Sequence, residues 1–204
     1  VYVKDLRGVF RLGSRHMRAG SQKLYPFGRS IRRRSFEQLE RRDLFAGLLN
    51  QSDLEYVGAF RVPSGNFGSS TFEYGGAALA YNPANNSLFV VGHELDRAVA
   101  EISIPTIRTG SRSGLSTASV LQPFSNVLNR VPNESFDDAR LGGLMVVDSQ
   151  LIVSAYEFYD ASGTTTDSHF KLSSLNLANA SATGMFRVGN LGGGYTGGYM
   201  ATVA

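Results

Sequence analysis

Two stretches of this chain share one order of residues, and a chain made of short similar units can bury its apolar surface only by stacking one unit on the next. Gly75-Gly76 leads through a turn into Leu88-Phe89-Val90-Val91-Gly92-His93-Glu94. Gly142-Gly143 leads through a shorter turn into Leu151-Ile152-Val153-Ser154-Ala155-Tyr156-Glu157. In each stretch the Glu follows the Leu by six residues, and Leu191-Gly192-Gly193 opens a third stretch of the same kind.

Each stretch reads as a β-hairpin. Asn82-Pro83-Ala84-Asn85-Asn86-Ser87 separates the apolar runs Ala77 to Tyr81 and Leu88 to Leu95, and Asp148-Ser149-Gln150 separates Leu144 to Val147 from Leu151 to Phe158. Asn, Asp, Pro and Ser favour tight turns because their side chains or rings supply the local geometry. Alternate strand residues face opposite ways, so Leu88 and Val90 oppose Phe89 and Val91, and both faces are apolar. A sheet with one wet face would alternate apolar and polar residues, so these strands are expected to be covered on both sides. Ala98 to Ile104 and Ser168 to Leu175 carry Glu101 and Lys171 and are expected to be more exposed. A further strand is expected to begin at Leu54 and end at Pro63, and the Ser/Thr/Gly-rich stretch Thr109 to Ser119 reads as a mobile loop.

The predicted fold class is all-β, built of antiparallel β-propeller-like blades. Residues 53–204 would hold about two blades and the start of a third, an incomplete propeller. The chain opens on Val1 and stops as the third unit begins, so it is expected to be a fragment of a longer protein. The turn followed by Leu88-Phe89-Val90-Val91 also resembles the blade hairpin of many propeller families, a likeness that names no activity.

Charge separates the N-terminal part from the rest. Residues 1–50 hold 12 Lys and Arg against 4 Asp and Glu, while the remainder holds 8 against 13. An asymmetry of this kind marks a basic tail rather than a basic binding surface. Residues 1–34 read as a disordered basic segment, and residues 35–52 as a short amphipathic helix opened by Ser35 and Gln38 at capping-box spacing. Arg32-Arg33-Arg34 does not make a twin-arginine signal, because charged residues from Glu37 to Asp43 stand where an apolar stretch is required. The stretch Ser35-Phe36-Glu37-Gln38-Leu39-Glu40-Arg41-Arg42-Asp43-Leu44-Phe45-Ala46-Gly47 resembles the N-terminal motif of large extracellular proteins of planctomycete bacteria. That resemblance implies export and an extracellular or cell-surface location. The alternative is a basic amphipathic helix that caps the domain or lies on a membrane.

Several chemistries are excluded. There is no Cys, hence no disulfide and no thiolate nucleophile or metal ligand. No apolar run is long enough for a transmembrane helix. Outside the basic segment the Arg and Lys residues are scattered, which argues against nucleic acid as a partner. No P-loop, EF-hand or supported Ser/His/Asp order occurs, and no cofactor is implied. The candidate ligand-binding residues are His93, Glu94 and Asp96 at one strand end and Tyr156, Glu157 and Asp160 at its counterpart. Carboxylates gathered at the ends of adjacent blades can bind a cation or a sugar, or act as general acid and base. They can equally hold blades together by bonding backbone. The functions left open are ligand binding or adhesion at the cell surface, with carbohydrate or another surface protein as partner, a secreted carbohydrate-active enzyme, and a structural module of a larger surface protein.

Overall fold

A computed structural model describes residues 50–75 and 78–202. The chain divides into two compact units, 1–56 and 57–204. In the first, Gln51–Asp53 forms a single 3-10 turn, closed where the Asn50 amide donates to Asp53 Oδ2 at 2.8 Å. The basic segment expected over 1–34 lies outside the described residues, as does the helix expected over 35–52 except for residues 50–52, which enter the 3-10 turn instead.

The second unit is all-β apart from short helical turns. Its strands are β1 (Asn66–Phe67), β2 (Ser70–Thr71), β3 (Leu79–Asn82), β4 (Ser87–Val91), β5 (Ala98–Ser103), β6 (Val120–Asn126), β7 (Ala139–Val147), β8 (Gln150–Glu157), β9 (Asp167–Leu172) and β10 (Ala182–Arg187). A four-residue helix, α1 (Gly193–Thr196), follows. β1 and β2 make a small hairpin. β3 to β6 form one four-stranded antiparallel sheet and β7 to β10 another, each with its strands side by side in chain order.

Local chemistry explains the two tight turns. In the β3–β4 turn the Ala84 amide donates to Asn82 Oδ1 at 3.1 Å, and Asn86 takes a left-handed conformation with φ of 48°. In the β7–β8 turn both central residues are left-handed, Asp148 at φ 46° and Ser149 at φ 62°, between the paired residues Val147 and Gln150. Two successive positive φ values define the hairpin turn whose twist matches that of the flanking strands.

The sheets pack through complementary faces. Ala80, Phe89, Val91 and Val99 of the first share one core with Leu144, Leu151, Val153, Ala155, Phe170 and Leu172 of the second. The first strands of the two sheets, β3 and β7, lie close together. On its other face the first sheet buries Ala98, Ala100 and Phe124, against which Phe67 and Phe72 of the β1–β2 segment pack. The second face of the first sheet is thus covered around Ala98, Ala100 and Phe124, while Leu79 and Tyr81 of β3 stay exposed on it. Burying a side chain such as Phe89 or Phe170 contributes about 1.5–3 kcal/mol.

Four expectations are corrected. β5 is not exposed: five of its six residues are buried, and Glu101 among them is only 1% accessible because polar side chains from neighbouring strands and turns surround its carboxylate. The run from Leu54 to Pro63 makes isolated bridges at Ala59 and Arg61 instead of a strand. Gly58, at φ 128°, and Pro63 interrupt any extended ladder there. Those bridges reach Arg108 and Thr117, on either side of the Thr109 to Ser119 stretch. The Ser168 to Leu175 stretch is not exposed either: Ser168, Phe170 and Leu172 of β9 are buried completely, because alternate residues of β9 face the shared core. Finally, Leu191-Gly192-Gly193 does not open a strand; Gly193 begins α1, whose end is closed by the Gly197 amide donating to the Gly193 carbonyl at 2.7 Å.

The glycine pairs are not equivalent markers either. Gly75 lies opposite His93, whereas Tyr156, which occupies the place of His93 in the second sheet, lies opposite Arg140. The hairpins supply the true alignment. Ser87 and Gln150 each follow a turn and pair with the residue that precedes it, Asn82 and Val147.

Candidate functional site

Counting from Ser87 and Gln150, Glu94 and Glu157 stand at corresponding places beyond the same end of β4 and at the end of β8. Their environments nevertheless differ. Glu157 is half-buried and accepts the backbone amides of Asp137, at 2.9 Å, and Asp138, at 2.7 Å, fixing the chain as it enters β7. Glu94 is exposed, and its carboxylate has no hydrogen-bond or ion-pair partner among the described residues. Its own amide is held by the Tyr74 carbonyl at 3.2 Å, which fixes the backbone beneath a free side chain.

The other candidates are mostly engaged in local structure. Asp96 Oδ2 accepts the Ser70 hydroxyl at 2.8 Å, tying the β4–β5 turn to β2. His93 Nδ1 accepts the Leu95 amide at 3.2 Å, and its ring meets the edge of Tyr74 with centroids 5.9 Å apart. Asp160 organises the 160–165 loop, accepting the Thr165 amide at 2.8 Å, the Ser162 hydroxyl at 3.0 Å and the Thr164 amide at 3.2 Å. The Thr165 amide leads the bonds that hold the Asp160 carboxyl below the ordinary aspartate range. Among the described residues no group of three His, Asp or Glu side chains gathers around one point as metal ligands would.

Glu94 and Tyr156 meet across a cavity of about 440 Å³. Gly75 and Ala78 line it ahead of β3, Arg140, Leu141 and Gly142 from β7, Phe158 just beyond β8, and Gly194, Gly197, Gly198 and Tyr199 from the segment that includes α1. The last segment closes tightly on β7. A Cβ at Gly142 would overlap the Gly197 carbonyl, and one at Gly143 the Gly198 carbonyl. Ser154 Oγ bonds both of those carbonyl oxygens, at 2.7 and 2.9 Å.

Arg140 is the feature of this cavity that reading by motif passes over. It is buried, at 8% accessibility, in a strand where Ala139 and Leu141 are also buried. Its guanidinium forms a close ion pair with Asp138 through Nη1, with Nη2 3.3 Å from the second carboxylate oxygen, and lies 4.7 Å from the centre of the Phe158 ring. Charge pairing and the ring face together offset the cost of desolvating a cation. Nε of Arg140 and Oγ1 of Thr196 are buried without a partner among the described residues, and both belong to segments that wall the cavity. An isolated Arg inside an apolar strand, two residues after an Asp, was the sequence signal available for it.

The chemistry on offer is recognition. One free carboxylate, a neutralised Arg and aromatic rings suit a ligand with hydroxyl groups and a flat apolar face. Fold and site define an antiparallel two-sheet domain with a polar and aromatic cavity at one end of the sheets. No family model, curated protein or solved structure matches this chain. No helix among the described residues is long and apolar enough to cross a membrane.

Proposed function

We propose that the two sheets are β-propeller-like blades of an extracellular or cell-surface protein whose role is ligand binding or adhesion, with the ligand seated in the cavity between Glu94 and Arg140. The blade reading is supported by the common strand order of the sheets and by their face-to-face packing with first strands adjacent. The surface address rests on the likeness of residues 35–47 to a leader motif of extracellular proteins.

The observation that carries the reading is the unpaired Glu94 carboxylate facing a cavity of ligand size. Binding is favoured over hydrolysis because a glycosidase needs two available carboxyl groups, and Glu157, Asp96 and Asp160 are each committed to backbone or hydroxyl donors. The test is a plug. A Cβ at Gly198 would meet nothing within 4 Å, so Gly198→Trp is chosen to fill the cavity from its wall, with the thermal midpoint as the check that the fold is kept. The 204-residue chain should bind members of a saccharide array, and the plugged variant should lose about tenfold or more in affinity with its thermal midpoint unchanged. Equal binding by both proteins would remove the cavity from the argument.

A further inference from the structure

A second cavity of about 520 Å³ adjoins the first. Tyr156, Phe158 and Gly194 line both, so the two spaces are neighbours across one ridge. Beyond that ridge the second cavity is walled by Asp160, Gly163 and Tyr195. Phe158 is 60% exposed, Tyr199 74% and Tyr195 90%. Three large rings thus stand at these cavities with little apolar cover: Tyr199 at the first, Tyr195 at the second and Phe158 between them.

The ridge is rigid. The Phe158 amide donates to the Asp138 carbonyl at 2.9 Å, and the ring rests on the Arg140 guanidinium. A ring held in place before binding costs little further order when it is covered. Aromatic rings present flat apolar faces, and Tyr adds a hydroxyl at the rim. A pyranose has the complementary form, with C–H groups on its faces and hydroxyls around its edge. Charge narrows the class of sugar. Arg140 is neutralised by Asp138, and the Glu94 carboxylate at the first cavity is uncompensated among the described residues. An acidic glycan would bring its carboxylates against that charge.

We propose that the paired cavities form one groove for a neutral polysaccharide chain, with one sugar unit in each cavity and the chain passing over Phe158. The proposal rests on the ligand-binding reading above and adds ligand class and length to it. Tyr195 touches the second cavity alone, and its exposure makes its removal harmless to the core.

The full chain is titrated calorimetrically with glucose, mannose and N-acetylglucosamine oligomers from monosaccharide to hexasaccharide, and with a galacturonate series. Affinity for at least one neutral series should rise about tenfold or more between the monosaccharide and the trisaccharide. Tyr195→Ala should remove that gain and leave monosaccharide affinity within about twofold, while Gly198→Trp weakens both. Affinity independent of length, or oligomer binding indifferent to Tyr195→Ala, would overturn the groove and leave the single-cavity reading standing. A preference for galacturonates would overturn the neutral class. Failure of every saccharide to bind the unmodified chain would overturn the groove, and loss of array binding with it would remove the underlying reading as well.

Discussion

Glu101 holds a buried negative charge with no cation beside it among the described residues. Asn82 at 2.8 Å, Asn85 at 3.2 Å, Gln122 at 2.6 Å and the Ser87 hydroxyl all donate to its carboxylate. Burial is the largest single influence and pushes its carboxyl up, but the four hydrogen bonds together outweigh it and hold the group below the ordinary glutamate value. A carboxyl that is more acidic in the folded chain favours folding above its unfolded value, near 4.5, and that contribution fades as pH falls through the folded value. Urea midpoints should therefore drop below about pH 4.5. Glu101→Gln should unfold more easily at neutral pH, by about 1–3 kcal/mol, yet show a flatter acid limb. Parallel limbs in the two proteins would mean that another group governs acid unfolding. A lone Glu in a strand reads as a mark of exposure because local sequence shows only the charge. The residues that make it tolerable come from β3, the β3–β4 turn, β4 and β6, and Gln122 also bonds the Leu175 carbonyl and Leu177 amide near the second sheet. Arg140 was hidden for the same reason. Asp138 is a neighbour in sequence, but Phe158 comes over the guanidinium only when β7 pairs with β8.

At the scale of the element, the hairpins were legible and the long connections were not. A turn's geometry is written in two to six adjacent residues, and Asn85-Asn86 and Asp148-Ser149 carry that information locally. The two Glu candidates at strand ends were likewise found by counting from Leu88 and Leu151. The helix α1 and the bridged, strandless run around Ala59 and Arg61 depend instead on distant backbone partners, such as the Thr165 carbonyl that accepts the Gly193 amide at 2.7 Å. The β7–β8 turn also stores a correctable cost. Left-handed conformations are unfavourable for L-residues with a side chain, and Asp148 and Ser149 both adopt them. Replacing Asp148-Ser149 by Asn-Gly should raise unfolding free energy by about 0.5–1 kcal/mol, measured by urea denaturation. A loss of stability would show that the Asp148 or Ser149 side chain contributes more than its backbone costs.

At the scale of the whole second unit, one core joins two sheets. Phe89 from the first and Phe170 from the second are both completely buried in it. Truncation in such a core costs transfer energy and leaves a cavity, so Phe89→Ala should lower stability by about 3–5 kcal/mol. Because the core is shared, amide exchange should accelerate in β8 and β9 as much as in β4, all in one cooperative transition. Protection lost in β3 to β6 alone would mean that each sheet folds by itself. Apolar residues on both strand faces announced that something must cover these sheets; one face of each is buried in the shared core, and the second face of the first sheet is covered only around Ala98, Ala100 and Phe124.

The seam between β7 and the 197–198 segment constrains how this chain can change over generations. Two backbones touch there with no room for a methyl group, so Gly142 and Gly143 admit no other residue unless the opposite strip retreats at the same time. At Gly194, on the same segment, and at Gly198 itself, whose carbonyl faces the seam, an added Cβ would point into open space. Neutral drift is thus blocked at the seam and free at the cavity wall, and lineages descended from this chain can vary what the cavity admits while the join that shapes it stays fixed.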